Sequence, residues 1–135
     1  MPCELCETDG GELLWRDGLC RVVLVAEPGY PGFCRAIWNF HVREMTDLAE
    51  DERVRFMRVV FAVEQVLREQ LRPHKINLAS LGNATPHLHW HVIPRFRDDP
   101  HFPDPIWSRP ARLPGSTVCA ISDLGTAIAE RLSRL

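Results

Sequence analysis

Leu19 to Glu27, LCRVVLVAE, is the first dense run of branched apolar residues and reads as a β-strand. A turn follows at Glu27 to Gly32, EPGYPG, with two Pro-Gly steps. Phe33 to Phe40, FCRAIWNF, alternates apolar and polar in part and reads as a second strand. Asp47-Leu48-Ala49-Glu50 fits a capping box with Asp47 as N-cap. Beyond it, Val54, Met57, Val60, Phe61, Leu67 and Leu71 recur at spacings of three, four and their sums, which defines one face of a long helix. Pro73 ends that helix. Lys75 to Gly82 reads as a strand, Asn83 to Pro86 as a turn, and His87 to Phe96 as a further strand. Arg97 to Gly115 is rich in proline and reads as an extended loop. Ser122 stands where it would cap a last helix from Asp123 to about Arg134. Strands first, then a helix, a hairpin and a tail predict an α+β domain with a mainly antiparallel sheet, one long helix and a C-terminal helix.

The segment TPHLHWHVIPRF, Thr85 to Phe96, carries three of the six histidines of the chain. Successive side chains of a strand point to opposite faces, so His87, His89 and His91 share one face and Leu88, Trp90 and Val92 the other. The apolar set would pack under the helix and present the imidazoles away from it. A lone histidine is ordinarily a surface residue or a satisfied core residue, which is the reading for His74 and His101. Three in register point to chemistry instead. Imidazole is a common metal ligand, and it is also the side chain that titrates near neutral pH and can act as a nucleophile.

Length and charge narrow the class. The 135 residues suit a single domain over 1–135, with 97–115 its extended loop and 116–135 its C-terminal helical tail. A net charge of −2 gives no electrostatic case for nucleic-acid or membrane binding. No apolar run approaches the ~20 residues that span a bilayer. The acidic N-terminus lacks a signal-peptide core, which predicts a cytoplasmic protein. Five cysteines, an odd number, do not suggest a disulfide framework there. Cys20, Cys34 and Cys119 sit in apolar patterns and read as packing residues. Cys3 and Cys6 form a C-x-x-C pair with metal-knuckle spacing, but supply only two of the four ligands a closed zinc site needs.

HLHWHVI matches His-φ-His-φ-His-φ-φ, with φ hydrophobic, at all seven positions, and so resembles the histidine triad (HIT) family. The C-x-x-C pair, the H-x-x-x-x-T-D-L segment opening the long helix and the Asn-bearing strand before the triad extend the likeness over most of Cys3 to Phe96. HVIPRFRDD resembles the diadenosine-polyphosphate hydrolase branch. The resemblance implies a HIT-like fold and a nucleotide hydrolase that cleaves a phosphoanhydride or phosphoramidate bond at the α-phosphate. His89 would be the nucleophile, His91 the partner of the phosphate or leaving group, and Asn77 a supporting residue. Such a mechanism requires no catalytic metal. The chain departs from the family where many members carry Gln and Ser or Thr before the triad, having Asn83 and Ala84 instead. Asn83, Ala84 and Thr85, partly through their backbone amides, become the candidate substrate-binding loop. Arg95 and Arg97 are candidates for distal phosphates. Val23, Val25 and Phe33 lie where the family holds a nucleoside, and Trp107 is a candidate to stack on a base or cover a partner.

In HIT members that carry the cysteine pair, the remaining ligands are a histidine opening the long helix and the first triad histidine. Residue by residue, the resemblance thus implies a structural zinc site of Cys3, Cys6, His41 and His87. It also implies a homodimer packed through the long helices and C-terminal segments. Alternatives are a nucleotidyl transferase, a noncatalytic nucleotide sensor, and a metalloenzyme with all three triad histidines on one ion.

Overall fold

The computed structural model describes residues 2–115 and 121–135. Its elements are α1 (Glu4–Glu7), β1 (Glu12–Arg16), β2 (Cys20–Leu24), β3 (Cys34–Trp38), α2 (Glu50–Leu71), β4 (Lys75–Ala79), β5 (His89–Arg95) and α3 (Leu124–Leu132). The five strands form one antiparallel sheet in the order β1-β2-β3-β5-β4. The chain is α+β, as the sequence predicts, with one long helix and a C-terminal helix. The strands are shorter than their apolar runs, because each run also supplies the first residues of a turn. β1 is an addition. Its sequence, ELLWR, is half exposed at the sheet edge and bulged between Leu13 and Trp15, so it shows no strict alternation.

The helices α2 and α3 cover one face of the sheet. Val22, Ala36, Trp38, Leu88 and Val92 pack there against Phe56, Val59, Val60 and Val63 of α2. The rings of Trp38 and Phe56 lie 5.3 Å apart. Leu88 and Val92 thus take the core side of the histidine strand, and Trp90 packs partly buried at its edge. Burial of the apolar side chains on this face, at roughly 25 cal/mol per Å², is the main term holding the layers together.

The helix face differs from the predicted one. Phe56, Val59, Val63 and Val66 are buried together with Val60, Leu67 and Leu71, whereas Val54 and Phe61 are half exposed. The sequence carries two apolar stripes on α2, and the periodicity merges them. The cap differs as well. Asp47 lies in a 3₁₀ turn, Met45–Asp47, where its carboxylate accepts from the amides of Arg43 and Glu44 at 3.2 and 3.0 Å. Ala49 is the N-cap of α2, and Glu52 reaches back to accept from its amide at 2.8 Å. At the C-terminal helix Asp123, not Ser122, takes the cap position, and no side chain caps it. Cys119 and the 116–120 part of the tail lie outside the described residues.

The opposite sheet face carries Arg21, Val23, Arg35, Ile37, His89, His91 and Ile93. The N-terminal segment lies over part of it, with Leu5 packed on Val23 and Ile37. Gly10 allows that approach. Its φ is +84°, and a Cβ there would stand 2.7 Å from Leu5 Cδ2 and 2.9 Å from Ile37 Cδ1. Arg21 ties the segment down, donating to the carbonyls of Leu5, Thr8 and Asp9 at 2.6, 3.2 and 3.0 Å. The third cluster, Tyr30, Phe33 and Ile93, closes the other end of this face.

Candidate functional site

β5 is held between β3 and β4, with His89 opposite Ile37 and His91 opposite both Arg35 and Ala79. A strand paired on both sides cannot swing, so its imidazoles have fixed directions. Ser80 adds a bond from its hydroxyl to the His89 carbonyl at 2.7 Å. All three triad histidines are buried. They point away from the helices, as expected, but the N-terminal segment and the loops around 81–85 and 107 roof them over.

Hydrogen-bond partners settle where the imidazole protons sit. His89 Nδ1 lies 2.5 Å from the His87 carbonyl oxygen. A carbonyl can only accept, so Nδ1 carries the proton and Nε2 is left with a bare lone pair. His87 Nε2 lies 2.6 Å from the Trp38 carbonyl and must donate to it, which leaves Nδ1 of His87 bare. Burial lowers the pKa of His89, against the pull of the His87 carbonyl and with help from the charge of Arg35. Burial, then His89 and Arg35, push His91 down to about 3. Both rings are therefore neutral at pH 7, the form that a nucleophile requires.

The bare Nδ1 of His87 lies 3.3 Å from Cys3 Sγ and 3.5 Å from Cys6 Sγ, and His41 Nδ1 lies 3.4 Å from Cys6 Sγ. One ligand atom from each of Cys3, Cys6, His41 and His87 lies within 4.8 Å of the others. Zinc bonds of ~2.3 Å to sulfur and ~2.05 Å to nitrogen at tetrahedral angles put sulfur and nitrogen roughly 3.5 Å apart, so the donor set fits that ion. The second nitrogen of His87 is already held by the Trp38 carbonyl, as a metal-bound imidazole requires. His87 is thereby turned away from His89 and His91, which separates it from any shared triad metal.

His89 and His91 line a cleft of about 380 Å³ with Arg35, Leu81, Gly82, Asn83, Ala84, Thr85 and Trp107. That is within the usual range for small-ligand sites. The structure thus brings the loop candidates Asn83, Ala84 and Thr85 to the two histidines. It also brings Trp107, whose ring lies 4.9 Å from His91. Arg35 is an addition. One arginine in a short strand carries no spacing signal, and only the register with His91 reveals it.

Other candidates are not brought there. Arg95 is buried, pairs through Nε and Nη2 with Asp99 at 2.7 and 3.0 Å, and donates to the Asp104 carbonyl at 2.8 Å. Its remaining Nη1 donates to Asn77 Oδ1 at 2.7 Å. Arg95 is therefore committed inside the protein rather than open to a distal phosphate. Asn77 shares the sheet face of His89, opposite Ile93, but its amide oxygen is spent on Arg95. Arg97 donates to His74 at 3.2 Å, away from the cleft. Val23 packs beneath the N-terminal segment and Val25 beside Tyr30, so neither lines the cleft, whereas the Phe33 ring meets the His91 ring edge-on at 5.7 Å. His101 pairs with the Tyr30 hydroxyl and stacks on its ring, which is a packing role.

Comparison with known proteins agrees with this geometry. A HIT domain model matches residues 10–98. An AP-4-A phosphorylase from Mycobacterium tuberculosis (strain H37Rv) is 30% identical over 98 residues, covering 68% of this chain and 50% of that protein. The chain thus matches about half the length of this curated relative. Among solved structures, a histidine triad protein from Marinobacter aquaeolei VT8 superimposes with a TM-score of 0.76 at 24% identity, over 100% of this chain and 97% of its own. A histidine triad protein from Bradyrhizobium japonicum gives 0.73 at 24% identity, over 99% and 96%.

Proposed function

Since the chain belongs to the HIT domain family, we propose that it is a nucleotide hydrolase working through a nucleotidyl-histidine intermediate on His89, with a diadenosine polyphosphate as its substrate. The observation that carries this reading is the bond from His89 Nδ1 to the His87 carbonyl, which leaves Nε2 bare on a residue that lines a cleft of about 380 Å³. In the first step the Nε2 lone pair forms a bond to the α-phosphorus. The bridging P–O bond breaks, and its electron pair leaves with the departing polyphosphate. In the second step water adds to phosphorus and gives up a proton to solvent, the P–N bond breaks, and its electrons return to Nε2. The net reaction takes one dinucleotide and one water to a nucleoside monophosphate and the remaining nucleotide. Splitting one displacement into two, with a ring held by two neighbouring strands, uses covalent and orientational catalysis together.

His91 supplies a neutral imidazole beside the nucleophile, and the amides of the 82–85 loop are the donors for the phosphoryl oxygens. Asn77 supports the site through Arg95 rather than at the phosphate. The mechanism requires no catalytic metal. Cys3, Cys6, His41 and His87 would hold a structural zinc ion, which fixes the N-terminal segment against the strand of the nucleophile. We read the protein as cytoplasmic, where its thiols stay reduced for that ion. Among the described residues no helix is long and apolar enough to cross a membrane.

The test is turnover of diadenosine tetraphosphate, diadenosine triphosphate and an adenosine phosphoramidate by the wild type and His89→Ala. Loss of at least about 10⁴-fold in kcat is expected, the scale of removing a covalent nucleophile. Binding of all three without turnover would sink the enzyme reading in favour of a sensor. The named AP-4-A phosphorylase favours one second reading, a transferase in which phosphate replaces water. A phosphate-dependent change in the products would select it.

A further inference from the structure

Arg35 stands alone in the cleft by charge. Its lining residues otherwise carry no fixed charge and no carboxylate. The guanidinium has five N–H donors and no acceptor. Two of them reach weakly placed partners, Nε to His91 Nδ1 at 3.5 Å and Nη1 to the Gly10 carbonyl at 3.4 Å. Among the described residues Nη2 finds no hydrogen-bond acceptor, and Arg35 forms no ion pair. Contrast Arg95 on the same sheet face, where a carboxylate, a carbonyl and an amide oxygen take up every edge of the guanidinium. Burial works against the charge of Arg35 while the carboxylates of Glu4 and Glu27 favour it from a distance, and among the described residues neither of them reaches it as an ion pair. Its stem is fixed by strand pairing opposite His91, and its head lies 5.7 Å from the Phe33 ring centroid, so it is held in the cleft rather than free to swing out. The Nε–H directed at His91 Nδ1 also favours the tautomer of His91 that carries its proton on Nε2. That is opposite to His89 and makes His91 a donor.

We propose that Arg35 recognises a phosphate of the substrate beyond the one attacked, and so selects a phosphate chain over an amine as the leaving group. The proposal rests on His89 being the nucleophile. When the P–O bond breaks, its electron pair stays on the departing phosphate, and that negative charge develops on the His91 side of the cleft, where the guanidinium can pair with two oxygens. An amine takes up a proton as it leaves and departs without negative charge, so it gains little from Arg35. Arg35 and the donor form of His91 together meet the charge of a phosphate leaving group.

The experiment compares wild type, Arg35→Leu and Arg35→Lys on diadenosine tetraphosphate and adenosine phosphoramidate, and measures the affinity of each protein for ADP and adenosine. For Arg35→Leu, kcat/KM on the tetraphosphate is expected to fall ~10²-fold, the scale of losing one transition-state donor. The phosphoramidate is expected to lose a clearly smaller factor, and ADP affinity to fall while adenosine affinity holds. Arg35→Lys keeps the charge without the fork and is expected to recover part of the loss. It also serves should the leucine variant fail to fold. Equal losses on the two substrates, or parallel losses of ADP and adenosine affinity, would overturn the proposal and leave Arg35 a structural residue. If the wild type turns over neither compound, the nucleophile reading falls. The ratio of ADP to adenosine affinity then decides separately whether Arg35 binds phosphate.

Discussion

One carbonyl links the two chemical halves of this protein. His87 offers its ring to the cysteines and its backbone oxygen to His89 Nδ1, so the residue that would hold the metal also sets the tautomer of the nucleophile. The alternation of the triad is legible in the sequence, and so is the face it occupies. Which nitrogen of His87 carries the proton is not, because that depends on Trp38, brought alongside from another strand. Arg35 stayed hidden for the same reason, since its partner is 56 positions away. A pH prediction belongs at this scale. The folded pKa of His91 is about 3, against 6.5 when free. Below pH 6.5 the unfolded chain therefore takes up a proton that the folded chain refuses. Its contribution to stability is whole above pH 6.5 and is lost progressively as pH falls toward 3. Urea midpoints at pH 7.5, 6.0 and 5.0 should decline for the wild type and decline less for His91→Asn. Equal slopes would show that His91 is not held neutral.

At the scale of elements, four of the five strands and the long helix are readable from their apolar runs, and β1 is not; of the predicted helix face Val60, Leu67 and Leu71 are buried but Val54 and Phe61 are not, and both caps lie elsewhere. Periodicity records that a residue is apolar, not which apolar stripe meets the sheet, and α2 carries two such stripes. The 97–115 loop read only as proline-rich. Its anchor is Arg95, which the structure turns inward onto Asp99 and the Asp104 carbonyl. Burial alone would raise the pKa of Asp99, but bonds from Arg95 and from the amides of His101 and Phe102 win and lower it. Asp99→Ala leaves the guanidinium buried without its carboxylate and is expected to cost roughly 3–5 kcal/mol in denaturant unfolding. It should also release the loop that sets Trp107 on His91. A cost under about 1 kcal/mol, the size of a surface pair, would contradict that anchor. The N-terminal knuckle is held by Arg21 and, on our reading, by zinc. Metal analysis of purified protein should find close to one zinc per chain, absent in Cys6→Ala, whose melting temperature should fall to that of chelated wild type. Full zinc retention in that variant would point to a different set of ligands.

The whole molecule leaves Val54 and Phe61 half exposed on the outer stripe of α2. They lie seven positions apart, on one side of the helix, with Met57 between them. We assign this stripe to the homodimer implied by the family resemblance. Sedimentation should show a dimer for wild type and a monomer for Phe61→Glu at micromolar concentration. A wild-type monomer would reject the assignment. The measurement that bears most directly on the account is a rapid acid-free quench of the protein mixed with diadenosine tetraphosphate labelled at the α-phosphate. The account predicts transient label on wild type, stable to alkali and lost in acid as a phosphorus–nitrogen bond should be, mapping to His89 and absent from His89→Ala. Steady turnover with no labelled protein at any time, or label that persists in His89→Ala, would contradict it.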